Sequence, residues 1–438
     1  FRIIDLFEYM KYGSKGKETV EEDKEEKLNF ALRDEKVNLF SMVEGTDYLK
    51  YKYEIMLCKK QKLPARPYLL DIKKSNSTFA LSESGRDYQN KVKDKDLPLK
   101  YIAYIDSYIK IKVDKARENE MFGDGKEVGT MYYLTGSQVF QTMKNVSESL
   151  AGRIGILDLF GFSTRELNNE KEDIFVPDIK LLKKKEKLKN LSTLSIFERI
   201  INGSFPEVNS VNGRNREQFF ETYIRTYLER DIRELINIKD EAKFVKFITS
   251  VAARTSQEFN AYEISRDIGV DSKTIDEWIS VLKNTHLVYM LQSYSNNNIK
   301  KAVKKPKIYF MDTGLACYLT GYLSAETLEK SAYNGAIFET YIVSEIIKSF
   351  TNNGIDPRSR LYYYRDTNQK EIDLLIFNDN TVYPVEIKKS ANPGKAAIKN
   401  FDVVKKFGCT VGNGIVLCMM ENIMPIDDNN YYVPIEYI

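Results

Sequence analysis

Two apolar segments near the C-terminus, residues 371–377 and 382–388, constrain the fold more than any other part of the chain. The turn sequence Asn378-Asp379-Asn380 lies between them, and charged and apolar residues alternate at their outer ends. Alternation with a period of two is the pattern of a β-strand, and a short polar turn between two such runs is typical of a hairpin. The sequence therefore predicts an antiparallel β-hairpin that turns at Asp379 and Asn380.

Charged side chains on one face of this hairpin form the first candidate site. The alternation places Glu371 and Asp373 on one face of the first strand, and Glu386 and Lys388 on one face of the second. The predicted turn then pairs Asp373 with Glu386 and Glu371 with Lys388. Cross-strand partners have Cβ atoms roughly 4.5–5.5 Å apart, so two carboxylates are expected to converge on one point.

Two interpretations of this convergence stay open. In one, the facing carboxylates hold a divalent cation such as Mg²⁺, and Lys388 holds or deprotonates a nucleophile. Glu339, on a predicted preceding helix, is then a natural third carboxylate. In the other interpretation the hairpin is an ordinary surface with a Glu371–Lys388 ion pair, which contributes little to stability.

Asp373 is followed, after a twelve-residue gap, by Glu386 and then by Lys388 two positions later. This spacing resembles the signature of the PD-(D/E)XK nucleases, with Ile372 where the signature has proline. The resemblance implies catalytic roles for Asp373, Glu386 and Lys388, and a Mg²⁺ site formed by Glu339, Asp373 and Glu386. The chain is therefore a candidate Mg²⁺-dependent endonuclease.

Further short segments match a known order of motifs. They are Leu134–Gln138, Ser149–Arg153, Tyr227–Ile232, Lys305–Lys307, Asp312–Ala316, Gly335 with Phe338-Glu339, and Tyr364–Asp366. In this order they resemble the prokaryotic AAA-like ATPases that end in a domain of unknown function with a PD-(D/E)XK-like fold. The resemblance implies an α/β multidomain chain: a divergent AAA-like parallel-sheet domain over 1–170, a helical lid or linker over 171–240, a winged helix over 241–334, and a nuclease-like α/β domain over 335–438.

The front of the chain departs from this family. The Gly-x-x-x-x-Gly-Lys-Thr/Ser loop that cradles nucleotide phosphates does not occur, and Gly13–Thr19 has the wrong spacing. Either the loop lies before Phe1, or the protein has lost nucleotide hydrolysis. The resemblance still implies ATP as a cofactor and Thr135, Ser137 and Arg153 as nucleotide-binding residues, although Ser137 also fits a helix N-cap.

Residues 241–311 predict a helix-turn-helix followed by a wing. Gly269 supplies the turn, Asp271 or Ser272 caps the next helix, and two strands follow. Lysines crowd the hairpin between and beside these strands: Lys300, Lys301, Lys304, Lys305 and Lys307. These lysines are candidate nucleic-acid contacts, because basic side chains bind phosphates through charge. Winged helices also act as protein-interaction modules, and that alternative stays open.

Composition narrows the classes of function. The 438 residues contain 66 Lys and Arg against 63 Asp and Glu, a net charge of +3, so any nucleic-acid surface must be a local patch. Four cysteines without a CxxC pair and the single His286 argue against a zinc site, a disulfide framework and a Ser-His-Asp triad. No apolar run is long enough to span a bilayer, so we expect a cytoplasmic protein without a membrane partner.

Three functions remain open at the level of the sequence. The first is a nucleic-acid-associated AAA-like ATPase-family protein, with DNA as the expected partner and a metal-dependent nuclease domain. The second is a non-catalytic adaptor or regulator that recognises DNA or a partner protein through the winged helix. A second copy of the chain is a further candidate partner. The third is an ATPase whose nuclease-like end is purely structural. Divalent-metal binding at the hairpin separates the first from the second.

We predict that residues 1–438 do not bind ATP tightly. Without the Gly-rich loop, the triphosphate lacks its main set of backbone N–H donors. Isothermal titration calorimetry with ATP and Mg²⁺ measures this affinity. A dissociation constant in the micromolar range or below contradicts the prediction.

Overall fold

The computed structural model describes residues 158–188, 192–210, 213, 215–227, 240–295 and 305–438, together with two short strands and the helical position Asp114 nearer the N-terminus. The chain divides into two compact units, Phe1–Gly155 and Ile156–Ile438. Six of the candidate site residues lie outside the described residues: Thr135, Ser137, Arg153, Lys300, Lys301 and Lys304. The domain boundaries predicted at residues 170, 240 and 334 remain predictions.

In the first unit the two short strands pair with each other. Strand β1 (Leu70–Ile72) runs antiparallel to β2 (Phe79–Leu81), with Asp71 opposite Ala80. The six-residue connection between them makes this pair a hairpin.

The second unit is a mixed α/β structure that begins with short helices. These are α1 (Thr164–Leu167), α2 (Ile179–Leu182), α3 (Thr193–Asn202), α4 (Pro206–Asn209) and α5 (Arg216–Tyr227). The side chains of Ser163, Asp178 and Ser192 accept hydrogen bonds from the first-turn N–H groups of α1, α2 and α3. Each therefore acts as the N-cap that starts its helix.

Three helices and two strands form the region predicted as a winged helix. They are α6 (Glu241–Ala253), α7 (Ala261–Ile268), α8 (Ser272–Asn284), β3 (Val288–Leu291) and β4 (Lys307–Phe310). Gly269 ends α7 with a left-handed φ of 74°, and Asp271 caps α8 by accepting from the Thr274 N–H. β3 and β4 pair antiparallel. The helices, the turn and the cap predicted from the sequence are confirmed.

A mixed sheet forms the C-terminal part. Short helices α9 (Thr313–Leu319) and α10 (Ala325–Lys330) precede the long α11 (Asn334–Asn352), which is largely buried. The strands are β5 (Leu361–Arg365), β6 (Glu371–Asn378), β7 (Thr381–Ile387), β8 (Thr410–Val411), β9 (Gly414–Cys418), β10 (Met424–Pro425) and β11 (Asn430–Pro434). The order is β10-β11-β9-β7-β6-β5, with β8 also beside β7. Neither α11 nor another helix of the described ranges is long and apolar enough to cross a membrane.

The segment after the hairpin differs from its predicted form. The sequence pattern predicts one helix near residues 395–407, but two 3₁₀ helices form instead, Lys395–Ile398 and Phe401–Lys406. A 3₁₀ helix has three residues per turn, so Phe401 and Val404 fall on one side. Both are buried in a cluster with one face of the sheet. The segment therefore packs on the sheet as two short 3₁₀ helices.

The β3–β4 pair is hydrogen-bonded to the C-terminal sheet. Beyond β3, the Tyr294 N–H donates to the Tyr363 carbonyl at 2.7 Å, and the Tyr363 N–H donates to the Gln292 carbonyl at 3.0 Å. At the other edge of β4, the Ser256 N–H donates to the Ile308 carbonyl at 2.7 Å. Strand β4 is therefore held along both edges, which fixes the direction of its side chains.

Asp312, which follows β4, joins two segments far apart in the sequence. Its Oδ1 accepts from the Leu315 N–H at 2.7 Å and caps α9, while Oδ2 accepts from the Ser204 N–H at 2.6 Å and from Ser204 Oγ at 2.8 Å. Gly203 has φ 69°, and a Cβ there would lie 2.5 Å from Asp312 Oδ1. The segment Asp312–Ala316, one of the motifs of the family resemblance, thus has a structural role.

We predict that Asp312→Ala destabilises the second unit more than Asp271→Ala does. Both substitutions remove an N-cap, but only the first also leaves the buried Ser204 N–H without its acceptor. An unsatisfied buried donor costs about 1–3 kcal/mol, and this should be the difference between the two variants. Urea unfolding measures both free energies, and equal losses would show that the Ser204 contact contributes nothing.

Candidate active site

The hairpin register places two carboxylates opposite each other. Leu374 pairs with Val385 in the β6–β7 ladder. The next step toward the strand ends brings Asp373 opposite Glu386, and the turn contains Asp379 with a φ of 50°. The register predicted from the sequence is therefore confirmed from the turn to Leu374–Val385, where the ladder ends.

Asp373 is the centre of the charged face. The residue is 8% exposed, and its Oδ2 accepts a hydrogen bond from the Ile387 N–H at 2.9 Å. Lys388 Nζ lies 3.8 Å from Asp373 Oδ2, and Lys307 Nζ lies 4.0 Å from Asp373 Oδ1. A backbone donor and two ammonium groups thus face this one carboxylate.

The ion pairs on either side differ from the predicted cross-strand pair. Lys388 Nζ donates to Glu386 Oε1 at 2.7 Å on its own strand. Glu371 Oε1 is instead 2.7 Å from Lys307 Nζ, and Glu371 Oε2 is 3.9 Å from Arg365 Nε. Glu371 therefore pairs with Lys307 and not with Lys388, the partner predicted from the sequence.

Lys307 is not a solvent-exposed wing residue, which corrects its sequence-based assignment to nucleic-acid binding. The residue is 4% exposed, and its Nζ lies 3.2 Å from Glu339 Oε1 and 5.6 Å from the centre of the Tyr363 ring. It starts β4 and points into the hairpin face, where phosphates in solvent cannot reach it. Lys305, in contrast, is exposed and remains a candidate nucleic-acid contact.

Glu339 on α11 closes the site from the helix side. Its Oε1 accepts from the Tyr309 hydroxyl at 2.7 Å and from Lys307 Nζ at 3.2 Å, and its side chain is 17% exposed. Tyr309 is fully buried on β4, two residues after Lys307. Burial, reinforced by the carboxylate of Glu339, raises the pKa of Tyr309 well above its usual value, so the hydroxyl stays a donor.

These side chains form what we call the hairpin cluster: Lys307, Glu339, Glu371, Asp373, Glu386 and Lys388. Four carboxylates face two ammonium groups, which leaves two negative charges unbalanced. Arg365 lies beside the cluster but also pairs with Glu258 at 3.4 Å. A mostly buried excess of negative charge is unfavourable unless protons or a cation neutralise it.

The pKa values of Glu339 and Glu386 are raised in this mostly buried, negatively charged cluster. Burial raises the pKa of Glu339 to about 7; Lys307 opposes the rise and Asp373 adds to it. Burial also raises the pKa of Glu386 to about 7, and repulsion from Asp373 reinforces it against the opposing Lys388. The pKa of Lys388 is itself raised, because Asp373 and Glu386 outweigh the effect of burial. Lys388 is therefore an ammonium group at neutral pH and not a base.

The cluster contains carboxylate oxygens, the ligand type that a divalent ion prefers, but they do not form a three-residue metal site. Among the described residues, no three Asp, Glu, His or Cys side chains are grouped to hold a metal ion. The expected third ligand, Glu339, is engaged by Tyr309 and Lys307. Asp373 and Glu386 remain as a facing pair, and Mg²⁺ is commonly held by one or two carboxylates with water and phosphate oxygens.

Two family models match the chain, and the residues of the site fall in both matched regions. A domain of unknown function (DUF8612) matches residues 193–326, and a second (DUF4143) matches residues 334–438. Lys307 and Tyr309 lie in the first region, and the other members of the cluster lie in the second. Neither description assigns an activity. No solved structure matches the chain.

Two mycobacterial proteins are also similar to the chain. They are the uncharacterized protein Mb2031c of Mycobacterium bovis and the uncharacterized protein Rv2008c of Mycobacterium tuberculosis, each 25% identical over 262 residues. The match covers 60% of this chain and 53% of each relative, so the chain spans about half the length of the curated relatives it matches.

Sequence reasoning missed the roles of Lys307, Tyr309 and Arg365. The alternation of β4 carries a usable signal, because Lys307 and Tyr309 share one face of a strand that is otherwise apolar. Arg365 lies opposite Glu371 in the β5–β6 ladder. That pairing follows a register shift at Tyr362–Tyr364, which the sequence does not reveal.

We expect the stability of the metal-free protein to fall as pH rises from about 4.5 to about 7. In this window Glu339 and Glu386, with pKa values near 7 when folded and near 4.5 in the reference state, hold more protons in the folded protein. The stability that these protons provide is complete below pH 4.5 and lost by pH 7. Each pKa unit corresponds to about 1.4 kcal/mol.

Calorimetric unfolding in a chelator, over a pH series, measures this dependence. The control is the double variant Glu339→Gln, Glu386→Gln, whose amides carry no charge at any pH in the series. Its unfolding midpoint should change less between pH 4.5 and 7 than that of the wild type. Parallel curves for the two proteins would contradict the assignment.

Proposed function

We propose that the hairpin cluster is the active site of a metal-dependent phosphodiesterase of the PD-(D/E)XK type, acting on nucleic acid. The observation that carries the proposal is the facing pair Asp373 and Glu386, mostly buried, with Lys388 beside both. Facing carboxylates are unfavourable without a cation, and the unbalanced charge of the cluster equals that of one divalent ion.

In this proposal Asp373 and Glu386 hold the metal ion. The ion held there would be Mg²⁺ or Mn²⁺ and would supply a Lewis acid for a phosphoryl oxygen and for a coordinated water. The Ile387 N–H orients Asp373 by donating to Oδ2, so that carboxylate needs no rearrangement to act as a ligand. Glu339, held by Tyr309, is the carboxylate that lies next to the pair.

In this proposal Lys388 is the residue that contacts the substrate. Its side chain is 41% exposed, unlike that of the buried Lys307, so its ammonium group lies where the cluster opens to solvent. Because its pKa is raised, it cannot take a proton from water at neutral pH. Its proposed role is therefore to donate hydrogen bonds to a phosphate oxygen or to orient the attacking water.

The wider context of this proposal comes from the resemblance to AAA-like ATPases. Under it, the winged-helix region and the exposed Lys305 bring DNA to the chain, and the first unit contributes a divergent nucleotide-binding fold. The similarity to two mycobacterial proteins of unknown activity is compatible with this assignment and adds no substrate to it.

A second candidate is a non-catalytic regulator in which the cluster only joins two parts of the chain. One observation favours it: Lys307 and Lys388 already neutralise half of the carboxylates, and Lys307 comes from β4 and not from the hairpin. In that case the cluster is a set of buried ion pairs, and divalent ions do not bind.

A cleavage assay with Mg²⁺ or Mn²⁺ on duplex DNA, single-stranded DNA and RNA tests the first proposal. We expect metal-dependent cleavage of at least one substrate and none in a chelator. Glu386→Gln should lower the rate by roughly 100-fold or more, since a catalytic metal is worth several kcal/mol. Glu329→Gln is the matched control, because Glu329 pairs with Lys389 at 3.0 Å outside the cluster.

The same variants distinguish the two candidates. Metal-dependent cleavage lost in Glu386→Gln and kept in Glu329→Gln supports the phosphodiesterase. Cleavage that survives in Glu386→Gln would assign the activity to another site or a contaminant. A wild-type protein that shows no thermal stabilisation by Mg²⁺ or Mn²⁺ would favour the regulator.

A further inference from the structure

We infer that Lys307 is a tethered cation: its ammonium group occupies, within the wild-type site, a position that a second divalent ion would otherwise take. The site is then a one-metal site in which β4 supplies the other positive centre. This inference rests on the proposed function for the first ion only. The occupation of the second position follows from contacts made by the chain itself.

The surroundings of Lys307 Nζ are those of a bound cation. Three carboxylate oxygens approach it, from Glu371 at 2.7 Å, Glu339 at 3.2 Å and Asp373 at 4.0 Å. These oxygens come from strand β6 and helix α11, and the lysine comes from β4, so the position is built by the fold and not by one local turn. With Lys307 in place, no three carboxylates among the described residues are grouped to hold a metal ion. Removing the ammonium group would leave these oxygens around a vacated position, and carboxylate oxygens are the ligands that hard divalent cations prefer.

The cluster is ordered as an alternation of charge. Lys307 Nζ contacts Glu371 and Glu339 and lies 4.0 Å from Asp373 Oδ1, while Asp373 Oδ2 lies 3.8 Å from Lys388 Nζ. Glu386, which faces Asp373, contacts Lys388 Nζ at 2.7 Å. Two cation positions follow, with Asp373 facing both, and Lys307 fills one of them.

The rest of the structure keeps Lys307 in this position. Burying an ammonium group is costly unless it is paired, and Lys307 is 4% exposed with three carboxylates in reach. Strand β4 is hydrogen-bonded along both edges, to β3 and to the loop at Ser256. Withdrawal of the ammonium group to solvent would break its ion pairs with Glu371 and Glu339. A divalent ion therefore has access to the Lys388 side first.

Metal stoichiometry in the full chain tests the inference. Mn²⁺ binding is measured by equilibrium dialysis and calorimetry for the wild type, Lys307→Ala, Lys307→Arg and Glu386→Gln. Removing the ammonium group frees the carboxylates of Glu339, Glu371 and Asp373, so Lys307→Ala should bind one Mn²⁺ more than the wild type. Lys307→Arg keeps the tethered charge and should bind the same number as the wild type.

The differences between variants separate this inference from the proposed function. Equal stoichiometry for the wild type and Lys307→Ala overturns the tethered-cation inference, whatever the wild type binds. Equal stoichiometry for the wild type and Glu386→Gln counts against the proposed metal site. If the wild type binds none and Lys307→Ala binds one, the inference stands and the proposed function fails.

A second variant keeps the inference falsifiable if Lys307→Ala does not fold alone. Lys307→Ala combined with Glu371→Gln removes one charge of each sign and retains Glu339 and Asp373 at the vacated position. It should also bind one additional Mn²⁺. If either variant is unfolded in a chelator, Mn²⁺ should restore its circular dichroism spectrum by mass action. Failure of Mn²⁺ to restore it overturns the inference.

Discussion

The buried ammonium group of Lys307 is the interaction on which the rest of the site depends. At 2.7 Å from Glu371 and 3.2 Å from Glu339, the two contacts are attractive by about 6 and about 5 kcal/mol at an effective dielectric constant near 20. Desolvation of the buried ions offsets much of that attraction. The net gain in stability is therefore modest, but removing Lys307 would leave its carboxylate partners buried without a cation. The fold must keep β4 in place for the cluster to exist.

Helix α11 holds the other side of the site in place, because it carries Glu339. Glu339 lies near its beginning, and a second buried ion pair, Glu345–Lys348 at 3.0 Å, follows within three turns. That pair holds the start of α1: Glu345 Oε2 accepts from the N–H of Thr164, the first residue of the helix, at 2.6 Å, and Lys348 Nζ donates to the carbonyl of Phe162, two residues earlier, at 3.1 Å. The helix is thus fixed along its length by polar contacts as well as by its apolar face.

The sequence predicted the parts of this arrangement that depend on local periodicity. The hairpin, its turn, the facing of Asp373 and Glu386, and the helix-turn-helix around Gly269 all follow from spacing within a few residues. The sequence could not predict the direction of Lys307, because it depends on pairing between β4 and segments on either side. Five lysines close together suggested one exposed patch, yet burial separates Lys307 from Lys305 only two residues away.

The charge of the cluster also sets the order in which ligands can bind under the proposed function. Nucleic acid is a polyanion, and a site with two unbalanced negative charges repels its phosphates. Lys388 and Arg365, each roughly one-third to two-fifths exposed, face the solvent but already pair with carboxylates of the cluster. A phosphate gains little by approaching until a divalent ion reverses the local charge. The site therefore favours metal binding first and nucleic acid second, although the protein as a whole carries a net charge of +3.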